Sequence, residues 1–350
     1  MMPENVGGRS NLPSFNNLER GAHAASSTKP SPRVSAGPSK AAGMAFEFRQ
    51  PMCQAEPGKR QKGPLERSCL AIRMIAMDID GTLLDSRGQV SAENARTIAE
   101  AVARGIEIVI VTGRRFDFAR PILDALECDY HLIVNNGALI KSKDGRTLQR
   151  HLLPSETARA VLEASPEFRS AAAVVFDRDW ERQVIMEQID WEDPFRGGYF
   201  RRNREHLAEV SPLSDCLDGT DPIQVMFSGP CAPMRRAKKM LESLPISAQY
   251  TLAITEYESR NFSILDVLAR GVTKGVALAE WTHRRGIARE QVMAIGDNWN
   301  DREMLEFAGV PVVMGNSVPE LKSLGWPVTL SNEQSGVAEA IRTYALGGTR

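Results

Sequence analysis

Asp78 and Asp80 stand two residues apart at the end of a short apolar run, Ile72–Met77, with Gly81 and Thr82 directly after them. Alternate residues of an extended segment share a face, so both carboxylates can reach one point in space. Three further apolar runs also end in polar groups. Ile106–Val111 leads into Thr112-Gly113-Arg114, and Leu132–Val134 into Asn135-Asn136-Gly137. Val292–Ile295 leads into Gly296-Asp297-Asn298, with Asn300 and Asp301 just beyond, and Lys274 lies upstream at a helix start. Brought to one rim, Asp78, Asp80, Asp297 and Asp301 raise one another's pKa by repulsion unless cations intervene. Hard carboxylate oxygens in such number suit Mg²⁺, which keeps several waters and takes further oxygens from a phosphate. Lys274 and Arg114 can offset more of the charge. The collection reads as a site for a cation and a phosphate.

Roles follow from position. A carboxylate can attack a phosphoryl group and form an aspartyl-phosphate, dividing one hard displacement into two. Asp78, at the strand terminus, is the candidate nucleophile, and Asp80 can protonate the leaving alcohol and then take a proton from water. Thr112 and the backbone N–H groups around Gly81 and Gly113 can hydrogen-bond the transferring oxygens. Lys274 can stabilise charge on nucleophile and phosphoryl alike. Each motif alone has a plainer reading as a turn, a strand exit or a helix cap. Four polar strand ends in one chain carry the functional reading together.

Ligands of open parallel sheets bind beyond the carboxyl ends of the strands, so these groups require such a sheet. The intervening residues supply it. Ser91 can N-cap a helix with Glu93 in its first turn, Ala95, Ile98, Ala101 and Val102 at helical spacing, and Gly105 past its end. A second helix, 117–126, leads to the strand Leu132–Val134. Near the C-terminus the alternation returns as a helix over 274–285, the strand Val292–Ile295, a helix over 301–308 ended by Gly309, and the strand Val312–Met314. The predicted fold is α/β: a Rossmann-like parallel-sheet core made of 71–153 and 257–350. Between them, 154–256 has strands (172–176, 224–227, 252–255) and helices (156–164, 233–244) of its own and reads as an inserted α+β domain.

Composition bounds the partners. The 350 residues are 42% hydrophobic, and 43 basic side chains face 44 acidic ones, without the basic stripe of a nucleic-acid binder. No apolar run approaches the roughly 18 residues that span a membrane. Cys53, Cys69, Cys128, Cys216 and Cys231 form no CxxC pair, which argues against a zinc site or disulfide framework and for a cytoplasmic setting. Residues 1–70 hold 8 Pro, 7 Gly and 8 Ser but only 9 Leu, Ile, Val or Phe, with 10 basic against 5 acidic groups. That composition predicts a disordered tail, or a reading frame whose start is Met44 or Met74.

The segments Met77-Asp78-Ile79-Asp80-Gly81-Thr82-Leu83-Leu84 and Val111-Thr112-Gly113-Arg114 resemble the haloacid dehalogenase-like hydrolase superfamily, specifically its Cof-type (type IIB) phosphatases. So do Asn136-Gly137-Ala138-Leu139-Ile140, Gly271-Val272-Thr273-Lys274-Gly275 and Gly296-Asp297-x-x-Asn300-Asp301. Met314-Gly315-Asn316-Ser317 and Leu330-Ser331-Asn332 match the closing pattern, and the likeness covers nearly all of 72–345. It implies a C2-type cap inserted after the third strand region and a Mg²⁺-dependent phosphatase with Asp78 as nucleophile, Asp80 as acid/base, and Thr112 and Lys274 on the phosphoryl group. Arg114, Asn136, Gly137, Gly81 and Gly113 border the phosphate and substrate. The metal falls to Asp78, the Asp80 backbone oxygen and Asp297, with Asn300 and Asp301 in support. Trp299 and Gly325-Trp326-Pro327 depart from the pattern without removing a catalytic group.

The insert is expected to set specificity. Its Asp177-Arg178-Asp179-Trp180 follows a strand where a lid can face substrate but reads more readily as a solvated hairpin, and Arg201-Arg202-Asn203-Arg204 can bind a second anionic group but reads more readily as a solvated face. The predicted activity is hydrolysis of a small phosphorylated metabolite, foremost a sugar phosphate. A phosphomutase, a carbon–halogen hydrolase and a non-catalytic phosphosugar-binding regulator are the competing readings.

Overall fold

The computed structural model describes residues 71–179 and 181–347, which fall within one compact unit beginning at Glu66. The predicted tail, 1–70, and Trp180 lie outside the described residues.

The first half of the core runs β1 (Met74–Met77), α1 (Ala92–Ala103), β2 (Glu107–Val111), α2 (Phe116–Leu123), β3 (His131–Val134), β4 (Leu139–Ser142) and β5 (Thr147–Arg150). The insert follows as α3 (Ser155–Ala164), β6 (Ala172–Val175), β7 (Val184–Met186), α4 (Gly197–Arg202), β8 (Leu207–Glu209), β9 (Gln224–Gly229), α5 (Cys231–Glu242), β10 (Tyr250–Tyr257) and β11 (Phe262–Ala269). The core resumes with α6 (Lys274–Arg284), β12 (Val292–Gly296), α7 (Arg302–Phe307), β13 (Val310–Val313), α8 (Pro319–Lys322) and α9 (Gly336–Tyr344).

The core sheet has the order β13-β12-β1-β2-β3-β4-β5, and β13 through β3 pair in parallel. Every residue of β1 is buried, as a strand covered on both faces requires. Ile75 and Met77 join Ile98 of α1, Leu123 of α2 and Ile341 of α9 on one face, while Met74 and Ala76 join Leu278 of α6 and Leu305 of α7 on the other. The helix starts and stops follow local chemistry. Ser91 Oγ accepts from the Asn94 N–H at 3.1 Å, and Gly105 takes φ +80° past the end of α1.

The structure differs from the sequence reading in several places. The parallel sheet carries an antiparallel edge, β4 and β5, whose short mixed runs gave no clear periodicity. The helix predicted over 117–126 is α2, which ends at Leu123, and that predicted over 301–308 is α7, preceded by a single turn, Trp299–Asp301. The insert extends beyond 256: β11 pairs with both β10 and β9, so the second sheet, β10-β11-β9-β6-β7-β8, continues to Ala269. The polar run 258–261 is the turn of that hairpin and not the return to the core, and Asn261 takes φ +45° in it.

Val174, Val225 and Leu265 of the second sheet face α3 and α5, where they meet Val161 and Leu241. Alternate residues Ala173, Val175, Val184 and Leu268 face the other way and belong to the same apolar cluster as Val134 and Leu139 of the core. The second sheet is thus sandwiched between the insert's own helices and the core. Among the described residues no helix is long and apolar enough to cross a membrane.

Candidate active site

Beyond β1 the Asp78 N–H still pairs with the Ile295 carbonyl of β12 at 3.1 Å, and the chain then turns sharply at Asp80 and Gly81. Gly81 has φ +82°, and a Cβ there would stand 2.3 Å from Asp297 Oδ2. Only glycine satisfies both conditions. The turn thus lays the first acidic loop against the last one. Thr82 Oγ1 seals the approach by donating to Asp297 Oδ1 at 2.8 Å.

Lys274 arrives from the opposite direction as the first residue of α6, whose N-cap Thr273 accepts from the Val276 N–H at 3.2 Å. Its buried ammonium donates to Asp78 Oδ1 at 2.7 Å and to Asp301 Oδ1 at 2.6 Å. Gly137 makes that arrival possible. It has φ +108°, and a Cβ would meet the Thr273 carbonyl at 2.4 Å. Asp301 is fully buried, and its Oδ2 accepts from the N–H groups of Asp297 and Asn298, each at 3.1 Å. Both Asp301 oxygens are therefore engaged in ordering Lys274 and the loop after β12.

Carboxylate oxygens of Asp78, Asp297 and Asp301 lie within 4.8 Å of one another. Burial pushes the Asp78 carboxyl up to about 7, with Lys274 pulling it down and Asp301 and Asp80 pushing it further up. Asp297 is likewise held well above the usual carboxylate range, by burial first and then by Asp301 and Asp78. Burial works against the charge on Lys274, but the two carboxylates outweigh it and raise its pKa. One ammonium among three buried carboxylates leaves the site short of positive charge. Among the described residues Asp78 Oδ2 and Asp297 Oδ2 receive no hydrogen bond. This donor set of crowded, anionic, hard oxygens fits a divalent cation such as Mg²⁺.

Asp80 turns its side chain the other way. Arg114 grips it with both arms of the guanidinium, Nε to Oδ2 and Nη2 to Oδ1, each at 2.6 Å. Thr112 is buried at the end of β2, and its Oγ1 accepts from the Arg114 N–H at 3.1 Å. The Asn136 carboxamide lies over Gly113 and donates from Nδ2 to Asp266 at 2.9 Å. The structure thus gathers Asp78, Asp297, Asp301, Lys274 and Gly81, and sets Asp80 with Arg114, Thr112, Gly113, Asn136 and Gly137 around them. Asn300 departs from expectation: its amide donates to Thr255 Oγ1 of β10 at 3.3 Å, so it faces the insert and not the carboxylates.

Asp177 departs too. In place of a solvated hairpin it accepts from Lys141 at 2.7 Å, Thr147 at 3.1 Å and Arg150 at 2.9 Å, all on β4 and β5. Sequence reasoning assigned nothing to Thr82, Gln224 or Asp266. An acidic residue in the middle of the apolar strand Phe262–Ala269 was the available signal for the last, because a carboxylate is costly to bury without partners.

A model of the haloacid dehalogenase-like hydrolase family matches residues 75–341. An HMP-PP phosphatase of Serratia proteamaculans is 31% identical over 252 residues, which cover 72% of this chain and 87% of that protein. A haloacid dehalogenase-like hydrolase of B. subtilis shares the fold with a TM-score of 0.66 at 26% identity, covering 77% of this chain and 99% of its own. A subclass IIB sugar phosphatase superposes with a TM-score of 0.62 at 20% identity over 78% of this chain and 99% of its own, a likeness of fold alone. Since the family match runs from the first core strand into the last core helix, the chain belongs to the haloacid dehalogenase-like hydrolases, among their Cof-type phosphatases.

Proposed function

We propose that the chain is a Mg²⁺-dependent phosphomonoester hydrolase that forms an aspartyl-phosphate on Asp78 and acts on a small phosphorylated metabolite, foremost a sugar phosphate. The observation that carries this reading is Lys274 bridging Asp78 and Asp301 inside a carboxylate cluster that one ammonium cannot neutralise. A pure phosphate-binding site gains nothing from carboxylates crowded against a dianion, whereas a nucleophile needs one of them.

In the first step an Asp78 carboxylate oxygen attacks phosphorus and the bond to the leaving oxygen breaks. Asp80, protonated on one oxygen while Arg114 keeps the other, gives the leaving oxygen its proton. Thr112 and Lys274 hold the charge that spreads over the transferring oxygens. In the second step Asp80 takes a proton from water as the water attacks phosphorus, and Asp78 is released with inorganic phosphate. Asp78, the Asp80 backbone oxygen and Asp297, with Asp301 behind them, would hold Mg²⁺, which would supply the positive charge that the protein itself lacks there. Thr82 keeps Asp297 turned toward that position.

The test is phosphate release from a panel of sugar phosphates and other phosphomonoesters, with HMP-PP added because a relative is named for it. Turnover is expected with Mg²⁺, lost on chelation and restored by adding the metal back. Asp78→Asn is expected to lower it by at least about a thousandfold. Release across no member of the panel, or undiminished turnover by Asp78→Asn, overturns the reading. Halide release from haloacids that survives chelation points instead to the carbon–halogen hydrolase, and phosphate delivered to a second hydroxyl points to the mutase.

A further inference from the structure

Four polar side chains join the insert to the core at a point that neither Lys274 nor the carboxylate cluster touches. Asp266 sits within β11 and is 3% exposed. Its Oδ1 accepts from Gln224 Nε2 of β9 at 2.7 Å, and its Oδ2 from Asn136 Nδ2 at 2.9 Å. Gln224 Oε1 in turn accepts from Asn135 Nδ2 at 3.3 Å. Burial pushes the Asp266 carboxyl up to about 7, with the Asn136 hydrogen bond pulling it back.

The carboxylate dictates the direction of both amides. Either one reversed would set a carbonyl oxygen against it. Asn136 Oδ1 is consequently turned away from Asp266, over Gly113, where it is buried without a partner. Asn135 and Asn136 both adopt left-handed backbone conformations, φ +50° and +53°, which asparagine enters more readily than other L-residues. The same two residues carry the loop after β2. The Asn136 N–H donates to the Thr112 carbonyl at 3.1 Å, and the Asn135 N–H to the Arg114 carbonyl at 3.0 Å.

We propose that Asp266 and Gln224, both contributed by the insert, are positioning residues for phosphoryl transfer: they hold the Asn135–Asn136 turn, which sets Thr112 and, through Arg114, the acid/base carboxylate of Asp80. The inference rests on the phosphatase reading above. It gives the insert a part in the rate of the reaction as well as in the choice of substrate.

The experiment compares kcat, KM and thermal midpoint for the full chain, Asp266→Ala, the volume-conserving Asp266→Asn, and the pair Gln224→Glu with Asp266→Asn. The pair leaves Asn135 and Asn136 untouched and restores all three hydrogen bonds, with only the one between β9 and β11 reversed in direction. The carboxamide introduced on β11 would accept from Asn136 and donate to the carboxylate introduced on β9, which accepts from Asn135. Well below its unfolding temperature, Asp266→Ala is expected to lose at least about tenfold in kcat with KM within about threefold, because small misplacement of reacting groups costs rate before affinity. The pair is expected to recover kcat to within about threefold of the unaltered chain. If Asp266→Ala does not fold, Asp266→Asn against the pair gives the same comparison. Normal kcat in the folded Asp266 variants, or a pair that recovers the thermal midpoint but not kcat, overturns this inference alone. An unaltered chain without turnover overturns the phosphatase reading, and this inference with it.

Discussion

Gly81 bears a constraint that its neighbours do not. Two like charges about 4 Å apart repel by roughly 4 kcal/mol at an effective dielectric near 20, and the cluster of Asp78, Asp297 and Asp301 is assembled within 4.8 Å with one ammonium at hand. Such a site is held together by geometry fixed elsewhere, and Gly81 is where the first acidic loop touches the last. Gly81→Ala would drive a methyl group onto Asp297 Oδ2 while straining a positive φ. We expect it to lower kcat by about a hundredfold and to raise the Mg²⁺ concentration needed for half-maximal rate. A variant with ordinary Mg²⁺ dependence would show that Asp297 has no part in holding the metal. Asp78, Asp80 and Lys274 were singled out only by reading the four polar strand ends together. Thr82 was quoted in the same motif, yet its hydrogen bond to a residue 215 positions away could not be read there.

At the scale of elements, the insert is fastened to the β4–β5 edge through Asp177. Burial alone would raise this carboxyl, but Lys141, Arg150 and Thr147 outweigh burial and hold it below the usual carboxylate range. A lowered folded-state pKa adds stability above the ordinary value of 3.8 and loses it as pH falls through the folded value. Asp177→Asn should therefore lower the thermal midpoint near neutral pH by roughly 2–6 °C, from about 1–2 kcal/mol of charged hydrogen bonding. Its midpoint should then fall less steeply than that of the unaltered chain on acidification below about pH 4. Parallel midpoint curves for the two chains over that range would remove Asp177 from the acid response. The strands involved here were hard to foresee, because β4 and β5 are short and mixed in polarity and take their order from pairing, β4 with β3 and β5 with β4.

For the molecule as a whole, core and insert share one apolar cluster, with Val175 and Leu268 of the second sheet among Val134 and Leu139 of the first. Bodies that share a hydrophobic core unfold together. A single calorimetric transition is expected, and two resolved transitions would mean that the shared cluster couples them weakly. Every residue of the candidate site falls between Asp78 and Asp301, and the family match starts at residue 75. Removal of residues 1–70 is accordingly expected to leave kcat/KM within about twofold. A larger loss in the same phosphate-release assay would assign the segment a part in the reaction.

Local patterning, read without coordinates, determined the α/β class, the polar strand ends that gather at the candidate site and the order in which they occur. It could do so because a doubly covered strand must be apolar along its length and a polar loop must follow it. Decided only in three dimensions were the partners of those loops: Asp80 held by Arg114, Asn300 turned to Thr255, and Asp266 reaching Asn136 from a different sheet. These contacts join residues 34 to 130 positions apart, and no periodicity in a chain encodes which distant side chain will fill the space opposite. The end of the insert was lost for the same reason. Whether the turn at 258–261 closes a hairpin or a domain depends on where β11 finds its neighbours.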